Sequence, residues 1–164
     1  MPHYNPMSYH NGSVWPHDNS LIVAGLRRYG FDEAAAAIIS DLVEAATHFP
    51  YGRLPELFCG FSRDYERYTV PIAYPVSCSP QAWAAGTIPY LLQVMLGLEP
   101  DAANGRLSLR PYLPDWLDEV RIDGMRVGDA AVDLVIRGRE RDVEVRFAAD
   151  RDLEVVVNGA LVRR

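Results

Sequence analysis

The sequence contains no lysine and only two cysteines, Cys59 and Cys78. Because all 16 basic residues are arginines, we attribute the missing lysine to the base composition of the genome and not to a functional choice. Neither cysteine has neighbours at metal-ligand spacing, so a disulfide between them is possible but unsupported. The net charge of −6 and the pI near 5.1 argue against a nucleic-acid partner, since phosphate binding needs a basic patch.

Long apolar runs are missing too. No window approaches the roughly 20 apolar residues that a membrane-spanning helix needs, and the first residues lack the positive region and apolar run of a signal peptide. Gly-rich phosphate loops and metal-binding motifs do not occur either. We therefore expect a cytoplasmic protein with no membrane partner, metal or cofactor. Its hydrophobic fraction of 49% is that of an ordinary globular chain.

The most unusual stretch is YHNGSVWPHDN at residues 9–19, which gathers aromatic rings, imidazoles, amides and a carboxylate just before a helical pattern. Such side chains stack on and hydrogen-bond polar ligands, and the start of a helix adds unpaired backbone N–H groups and a positive dipole end. The stretch therefore indicates one side of a binding site. A turn with an Asp or Asn helix cap explains it equally well.

Apolar spacing predicts helices over residues 18–29 and 32–48, joined as an antiparallel hairpin, with Asp32 as a plausible N-cap. A third helix is predicted over residues 79–97, with Ser79 as its cap and Pro80 at its first position. Pro89 inside this helix should kink it. Between the second and third helices, residues 49–78 are rich in proline, aromatic and ionisable residues, which favours a functional loop.

After residue 101 the apolar period changes from helical to alternating. This pattern predicts strands over residues 106–110, 119–123, 131–137, 142–147 and 153–157, and Asn158-Gly159 is a strong hairpin signal. We therefore predict an antiparallel sheet with one solvated face. The resulting domains are 1–100, which is helical, and 101–164, which is β.

The chain resembles the C-terminal part of bacterial amylo-alpha-1,6-glucosidase-type proteins, the glycogen-debranching-like family. Three ordered blocks carry the resemblance: YHNGSVWPHDN at residues 9–19, RLPELFCGF at 53–61 and YPVSCSPQAWAAG at 74–86. The resemblance implies that residues 1–100 supply the last helices of an (α/α)6 toroid, a ring of twelve helices. We accordingly expect an α+β fold by segment, with incomplete (α/α)6-toroid helices followed by a small antiparallel β-sheet.

The resemblance also implies an activity, which is hydrolysis of alpha-glucosidic bonds by inversion. That reaction needs two carboxyl groups, one that protonates the leaving oxygen and one that activates water. Glu56 matches the family segment that holds the general base, although a solvated loop carboxylate is the plainer interpretation of its composition. The family's catalytic acid lies upstream of residue 9, so we expect this chain to be a C-terminal fragment.

Candidate substrate-binding residues surround these blocks. Tyr9, Trp15 and Trp83 offer ring faces on which a sugar can stack, and Arg53 is placed to pair with Glu56 or to hold the substrate. Packing in the core is an equal alternative for Trp83, helix capping for Asp18 and simple packing for His17. Groups that can hydrogen-bond sugar hydroxyls are His10, Asn11, His17, Asp18 and Asn19.

Two further functions remain open beside the alpha-glycosidase. The isolated chain can be a non-catalytic carbohydrate-binding or assembly module, which needs no acid and base pair. A phosphorylase is a third possibility, but no phosphate clamp is visible. An oligosaccharide or glucoside is the expected partner. Apolar helix faces that are left uncovered also predict self-association or binding of an upstream fragment of the same toroid.

Overall fold

The computed structural model describes residues 3–64, 67–139 and 142–162. The chain forms two compact units, Met1–Leu91 and Leu92–Arg164. Within the described ranges, no helix is long and apolar enough to cross a membrane.

The first unit begins with a helical hairpin, as its apolar spacing predicts. Helix α1 spans Pro16–Arg28 and helix α2 spans Asp32–Thr47, and the two pack together. Their buried residues recur at helical spacing. These are Pro16, Ser20, Val23 and Arg27 on α1 and Asp32, Ala35, Ile39, Leu42, Ala45 and Ala46 on α2.

The turn of the hairpin is fixed by a buried ion pair. The guanidinium of Arg27 binds the carboxylate of Asp32, and the two side chains are only 4% and 3% exposed. The prediction of Asp32 as an N-cap is wrong, because Phe31 occupies that position and Asp32 is the first helical residue. The Asp32 side chain binds Arg27 across the turn instead.

Residues 49–78 are more ordered than a single long loop. They contain a 3-10 turn at Pro50–Gly52 and two short strands, β1 (Phe58–Cys59) and β2 (Ile72–Ala73), which pair antiparallel. Leu54 and Leu57, which lie between the 3-10 turn and β1, are fully buried. Leu54 forms an apolar cluster with the end of α2, and this cluster anchors the segment that carries Glu56.

The predicted third helix starts later than expected and is interrupted. Helix α3 is a single turn, Ala82–Ala85, and helix α4 spans Thr87–Leu96. Gln81 is the N-cap of α3, so Ser79 and Pro80 lie before the helix. Pro89 is the third residue of α4, where a backbone N–H has no partner inside the helix, so the proline removes no bond there.

Among its described residues, the second unit is built mainly from seven strands in two sheets. The four-stranded sheet has the order β3-β4-β8-β9 and the three-stranded sheet the order β5-β6-β7. The strands are β3 (Glu99–Asp101), β4 (Arg106–Leu109), β5 (Glu119–Val127), β6 (Ala130–Arg139), β7 (Asp142–Ala149), β8 (Glu154–Val157) and β9 (Ala160–Val162).

The β8–β9 hairpin is confirmed at the predicted turn. Asn158 and Gly159 both have positive φ, 51° and 81°, as a type I′ turn requires. In the three-stranded sheet the predicted alternation also holds, since Val132, Leu134 and Ile136 of β6 are fully buried on one face. The residues between them point the other way, where Asp133 is exposed and Val135 is half-buried.

The predicted fold class is wrong. The described residues form a mixed α+β fold with nine strands in three sheets, and not toroid helices followed by a small antiparallel sheet. After α2 the chain does not continue into further helical hairpins, because the proline- and aromatic-rich segment pairs as β1 and β2. The β part is also not purely antiparallel, since β4 and β8 run parallel, with Leu107 opposite Val155.

Candidate functional site

Glu56 lies at the point where three segments of the first unit meet. The phenol of Tyr9 donates a hydrogen bond to Oε1 of Glu56, and the backbone N–H of Cys78 donates to Oε2 at 3.2 Å. The backbone N–H of Glu56 donates in return to the carbonyl of Cys78 at 2.9 Å. The side chain of Gln81 makes a further, smaller contribution that lowers the pKa of this carboxylate. The half-buried carboxylate is therefore held from several sides.

These hydrogen bonds shift the titration of both partners. The bond from Tyr9 is the largest cause that lowers the pKa of Glu56, and the backbone N–H of Cys78 lowers it further. The same bond to Glu56 is the main cause that raises the pKa of Tyr9 to about 12. At neutral pH the pair is therefore a carboxylate beside a neutral phenol.

Aromatic rings form one wall beside this carboxylate. The ring of Tyr9 meets the rings of His10 and Trp15 edge to face, each at 4.7 Å between centroids, and lies 5.8 Å from that of Tyr74. His10 and Trp15 are nearly parallel, 4° apart in plane and 5.8 Å apart. The indole N–H of Trp15 donates to the carbonyl of Tyr9 at 3.0 Å, which fixes the phenol-bearing turn.

A second ring pair lies where α1 and α3 approach. The imidazole of His17 stacks on the indole of Trp83 at 4.5 Å and 17°. Trp83 remains 49% exposed, so core packing does not describe it. Its indole N–H donates to the side-chain oxygen of Gln81. The sequence blocks around residues 9–19, 53–61 and 74–86 therefore all reach Glu56 through direct contacts.

The structure does not bring every predicted residue into this cluster. Asn11 is exposed and hydrogen-bonds locally, since its N–H donates to the Ser8 hydroxyl at 3.4 Å. Asp18 is exposed in the first turn of α1, and its predicted capping role is wrong because Trp15 is the N-cap. The guanidinium of Arg53 lies over the ring of Tyr51 at 5.6 Å, and within the described residues it makes no ion pair with Glu56.

Two glycines let the turn at residues 9–14 lie directly against β1. A side chain on Gly60 would overlap the carbonyl oxygen of Gly12, and one on Gly12 would overlap that of Asn5. Next to this contact, Val14 and Phe58 form a bridge through backbone hydrogen bonds of 2.8 and 3.0 Å. The absence of two side chains thus allows the Tyr9 turn to reach Glu56.

A cavity of about 410 Å³ lies next to the carboxylate site and is a separate feature of the same unit. Asn19 lines it, with Leu42 of α2 and Phe58 and Ile72 of the short strands. The amide of this predicted ligand-binding residue donates to the carbonyl of Trp15 at 2.8 Å, which is a local bond at the start of α1. In the described part of the chain, no group of three or more His, Cys, Asp or Glu side chains could hold a metal ion.

No family model and no curated protein matches the chain.

Sequence reasoning missed three residues of this cluster. Tyr74 contacts Tyr9, Cys78 contacts Glu56, and Gln81 accepts the indole N–H of Trp83. All three lie in the block at residues 74–86, which was noticed for its resemblance, but only Trp83 was selected from it. The sequence pattern that could have identified them is a run of polar and aromatic residues immediately before a helix. The same pattern identified residues 9–19.

Proposed function

We propose that this chain contributes the general-base side of an alpha-glycosidase site that hydrolyses alpha-glucosidic bonds with inversion. Glu56 is the base, and an oligosaccharide or glucoside is the substrate. The catalytic acid is a carboxyl group encoded upstream of residue 9. Together with the resemblance to the glycogen-debranching-like family, this assigns the three sequence blocks to one active site.

The observation that carries the proposal is the convergence of those three blocks on one carboxylate. Tyr9 comes from the first block, Glu56 from the second and Cys78 from the third, and both Tyr9 and Cys78 donate a hydrogen bond to the Glu56 carboxylate. The blocks were selected from the sequence for their resemblance alone. Their meeting at the residue expected to be the base supports a shared role.

The protonation state of Glu56 suits this role. Its lowered pKa keeps it ionised at neutral pH, and each carboxylate oxygen can accept more than one hydrogen bond, so the bonds from Tyr9 and Cys78 leave room for a water molecule. Glu56 would take a proton from that water as the water oxygen attacks the anomeric carbon. The bond to the leaving oxygen breaks as the second carboxyl group protonates that oxygen.

The surrounding rings suit a sugar. The half-exposed indole of Trp83 and the rings of Tyr9 and His10 offer apolar faces on which the C–H bonds of a pyranose can pack, with polar edges nearby. A cytoplasmic location belongs to the same proposal. Cys59 and Cys78 are free thiols, which is the usual state in a reducing compartment.

Substitution of the base tests the proposal in the full-length gene product. In Glu56→Gln the amide cannot accept the proton of water, so kcat on a maltooligosaccharide should fall about 10²- to 10⁴-fold. Glu99→Gln is the matched control, because Glu99 is an exposed carboxylate on β3. Proton NMR of the first product should show the beta anomer. Near-wild-type hydrolysis by Glu56→Gln would remove Glu56 as the base.

A non-catalytic carbohydrate-binding module is the second candidate. The exposed face of Trp83 favours it, because stacking on a sugar needs no acid and base pair. Calorimetric titration of the 164-residue chain with maltooligosaccharides tests this version. Heat that is retained in Glu56→Gln and lost in Trp83→Ala would support it, and no heat at millimolar sugar would exclude it.

A further inference from the structure

Trp15 contacts both the backbone and the ring of Tyr9. Its indole N–H donates to the carbonyl of Tyr9 at 3.0 Å, and its ring meets the phenol ring edge to face with the centroids 4.7 Å apart. The phenol of Tyr9 in turn donates to Oε1 of Glu56. A displacement of the Tyr9 backbone would break the hydrogen bond to the indole, and a rotation of the phenol would break the ring contact.

Trp15 is itself anchored to the strand that follows Glu56. Its neighbour Val14 forms two backbone hydrogen bonds with Phe58 of β1, of 2.8 and 3.0 Å. Phe58 lies two residues after Glu56. From Trp15 the indole reaches back to Tyr9, whose phenol binds Glu56. The contacts therefore form a closed path that begins and ends at Glu56, which restrains the phenol and the carboxylate more than one hydrogen bond does.

We propose that Trp15 is a positioning residue that holds the Tyr9 phenol on the Glu56 carboxylate, and not a ring on which a sugar stacks. The indole is half-buried, packs on Tyr9 and lies nearly parallel to the imidazole of His10. Its single N–H is bound to a backbone carbonyl, so it has no second donor to offer a sugar hydroxyl. The inference rests on the proposed function only where it concerns catalysis.

Tyr9 needs this support because it lies in a turn and not on a helix or strand. Side chains on turns are held less precisely than those on regular elements. The base of this turn is closed by Ser13, whose backbone N–H and hydroxyl both donate to the carbonyl of Ser8, at 3.1 and 2.9 Å. The bond from Trp15 closes the turn a second time, at Tyr9 itself. Loss of the indole N–H should therefore loosen the phenol without opening the turn.

The structural part can be tested without any activity, by following the carboxyl carbon of Glu56 by NMR during a pH titration of the 164-residue chain. Trp15→Phe keeps a ring against Tyr9 but removes the N–H. The pKa of Glu56 should rise, by less than in Tyr9→Phe, which removes the donor itself. The double variant should titrate like Tyr9→Phe alone, because Trp15 acts through Tyr9. His10 and Tyr74, the other titratable rings against Tyr9, are followed in the same spectra.

Two further substitutions keep this test decisive. Trp116→Phe, at a tryptophan of the other unit that is 51% exposed, should leave the Glu56 titration unchanged. Incorporation of 3-benzothienylalanine at position 15 keeps the shape of the indole and replaces only its N–H by sulfur, so it should raise the pKa of Glu56 even if phenylalanine packs poorly there. An unchanged Glu56 titration with benzothienylalanine would overturn the positioning role. A Trp15→Phe shift that persisted in full in the Tyr9→Phe background would overturn the path through Tyr9.

The catalytic part is tested in the full-length gene product. Trp15→Phe should lower kcat about 10-fold with little change in KM, because a loosened base affects the chemical step. The acidic limb of its kcat profile should move to higher pH, since Glu56 must be ionised to act. If Glu56→Gln stays active, the proposed function fails and the titrations still test the contacts. If Glu56→Gln is inactive but Trp15→Phe raises only KM and leaves the acidic limb in place, Trp15 binds the sugar and the positioning inference alone fails.

Discussion

Tyr9 and Glu56 shift each other's pKa in opposite directions. The phenol stabilises the ionised carboxylate by donating to it, and the carboxylate opposes ionisation of the phenol. Glu56 has its pKa lowered from 4.5, so its contribution to stability is present above that pH and is lost as the pH falls through the lowered value. Tyr9 has its pKa raised from 10.0, so its contribution is present below pH 10.0 and is lost as the pH rises towards about 12.

Tyr9→Phe should therefore change two titrations at once. Phenolate absorbance of the wild-type chain should show one tyrosine that ionises at about pH 12, and this late step should be missing in the variant. The pKa of Glu56 should rise towards its ordinary value because its main donor is gone. Tyr29→Phe, at a residue that is 77% exposed, should keep the late step. A late step that survives in Tyr9→Phe would contradict the assignment.

At this scale the sequence predicts side chains better than it predicts their partners. The unusual run of rings and polar groups at residues 9–19 predicts Tyr9 and Trp15, the family resemblance predicts Glu56, and the three residues do lie together. Gln81 was not selected, because one glutamine before a helix looks like any solvated amide. The hydrogen bond that it accepts from Trp83 is defined only in the folded chain.

Among the elements, the helices were predictable and their ends were not. Apolar spacing predicted both α1 and α2, and α2 buries the predicted apolar face. Helix α1 instead buries Ser20, Val23 and Arg27, while its apolar residues Leu21 and Ile22 are exposed. The capping signals at Asp18 and Asp32 were misleading, since helix α1 begins at Pro16 and Asp32 binds Arg27. The proline at the first position of α1 outweighed the capping preference of Asp18, and the ion pair with Arg27 outweighed that of Asp32.

The contact between the Tyr9 turn and β1 leads to a prediction at the scale of elements. Gly60→Ala should destabilise the first unit, because the new methyl group must displace the carbonyl of Gly12. We expect a loss of about 1–3 kcal/mol in the free energy of unfolding, measured with urea. Gly25→Ala in α1 is the control, since nothing lies near its added methyl group. It should stabilise by about 0.5–1 kcal/mol. Equal effects of the two substitutions would show that the turn is free to move.

Exposed apolar residues lie along α1 and just beyond its C-terminal end, and they affect whether whole molecules associate. Leu21 and Ile22 are more than half exposed, as are Tyr29 and Phe31 at the end of α1. Helix α1 therefore presents an apolar stripe to solvent, which favours association. The 164-residue chain should sediment as a concentration-dependent mixture in analytical ultracentrifugation.

A matched pair of substitutions tests whether the chains associate through the exposed residues of α1. Ile22→Ser should shift the sedimentation towards the monomer, because it interrupts the α1 stripe. Leu161→Ser changes an equally exposed residue on β9 and should have little effect. A wild-type chain that stays monomeric at high concentration and unfolds in one cooperative step would disprove this prediction.

The parallel pairing of β4 with β8 also determines when the second unit can be completed. Strands β5, β6 and β7 lie between these partners in sequence and form their own antiparallel meander from neighbouring segments. Local pairings close quickly, whereas joining β4 to β8 requires closure of the whole intervening loop. A ribosome must therefore extend the chain past Val157 before Leu109 finds its partner. During synthesis, the β5-β6-β7 meander can fold while the edge of β4 that binds β8 is still unpaired.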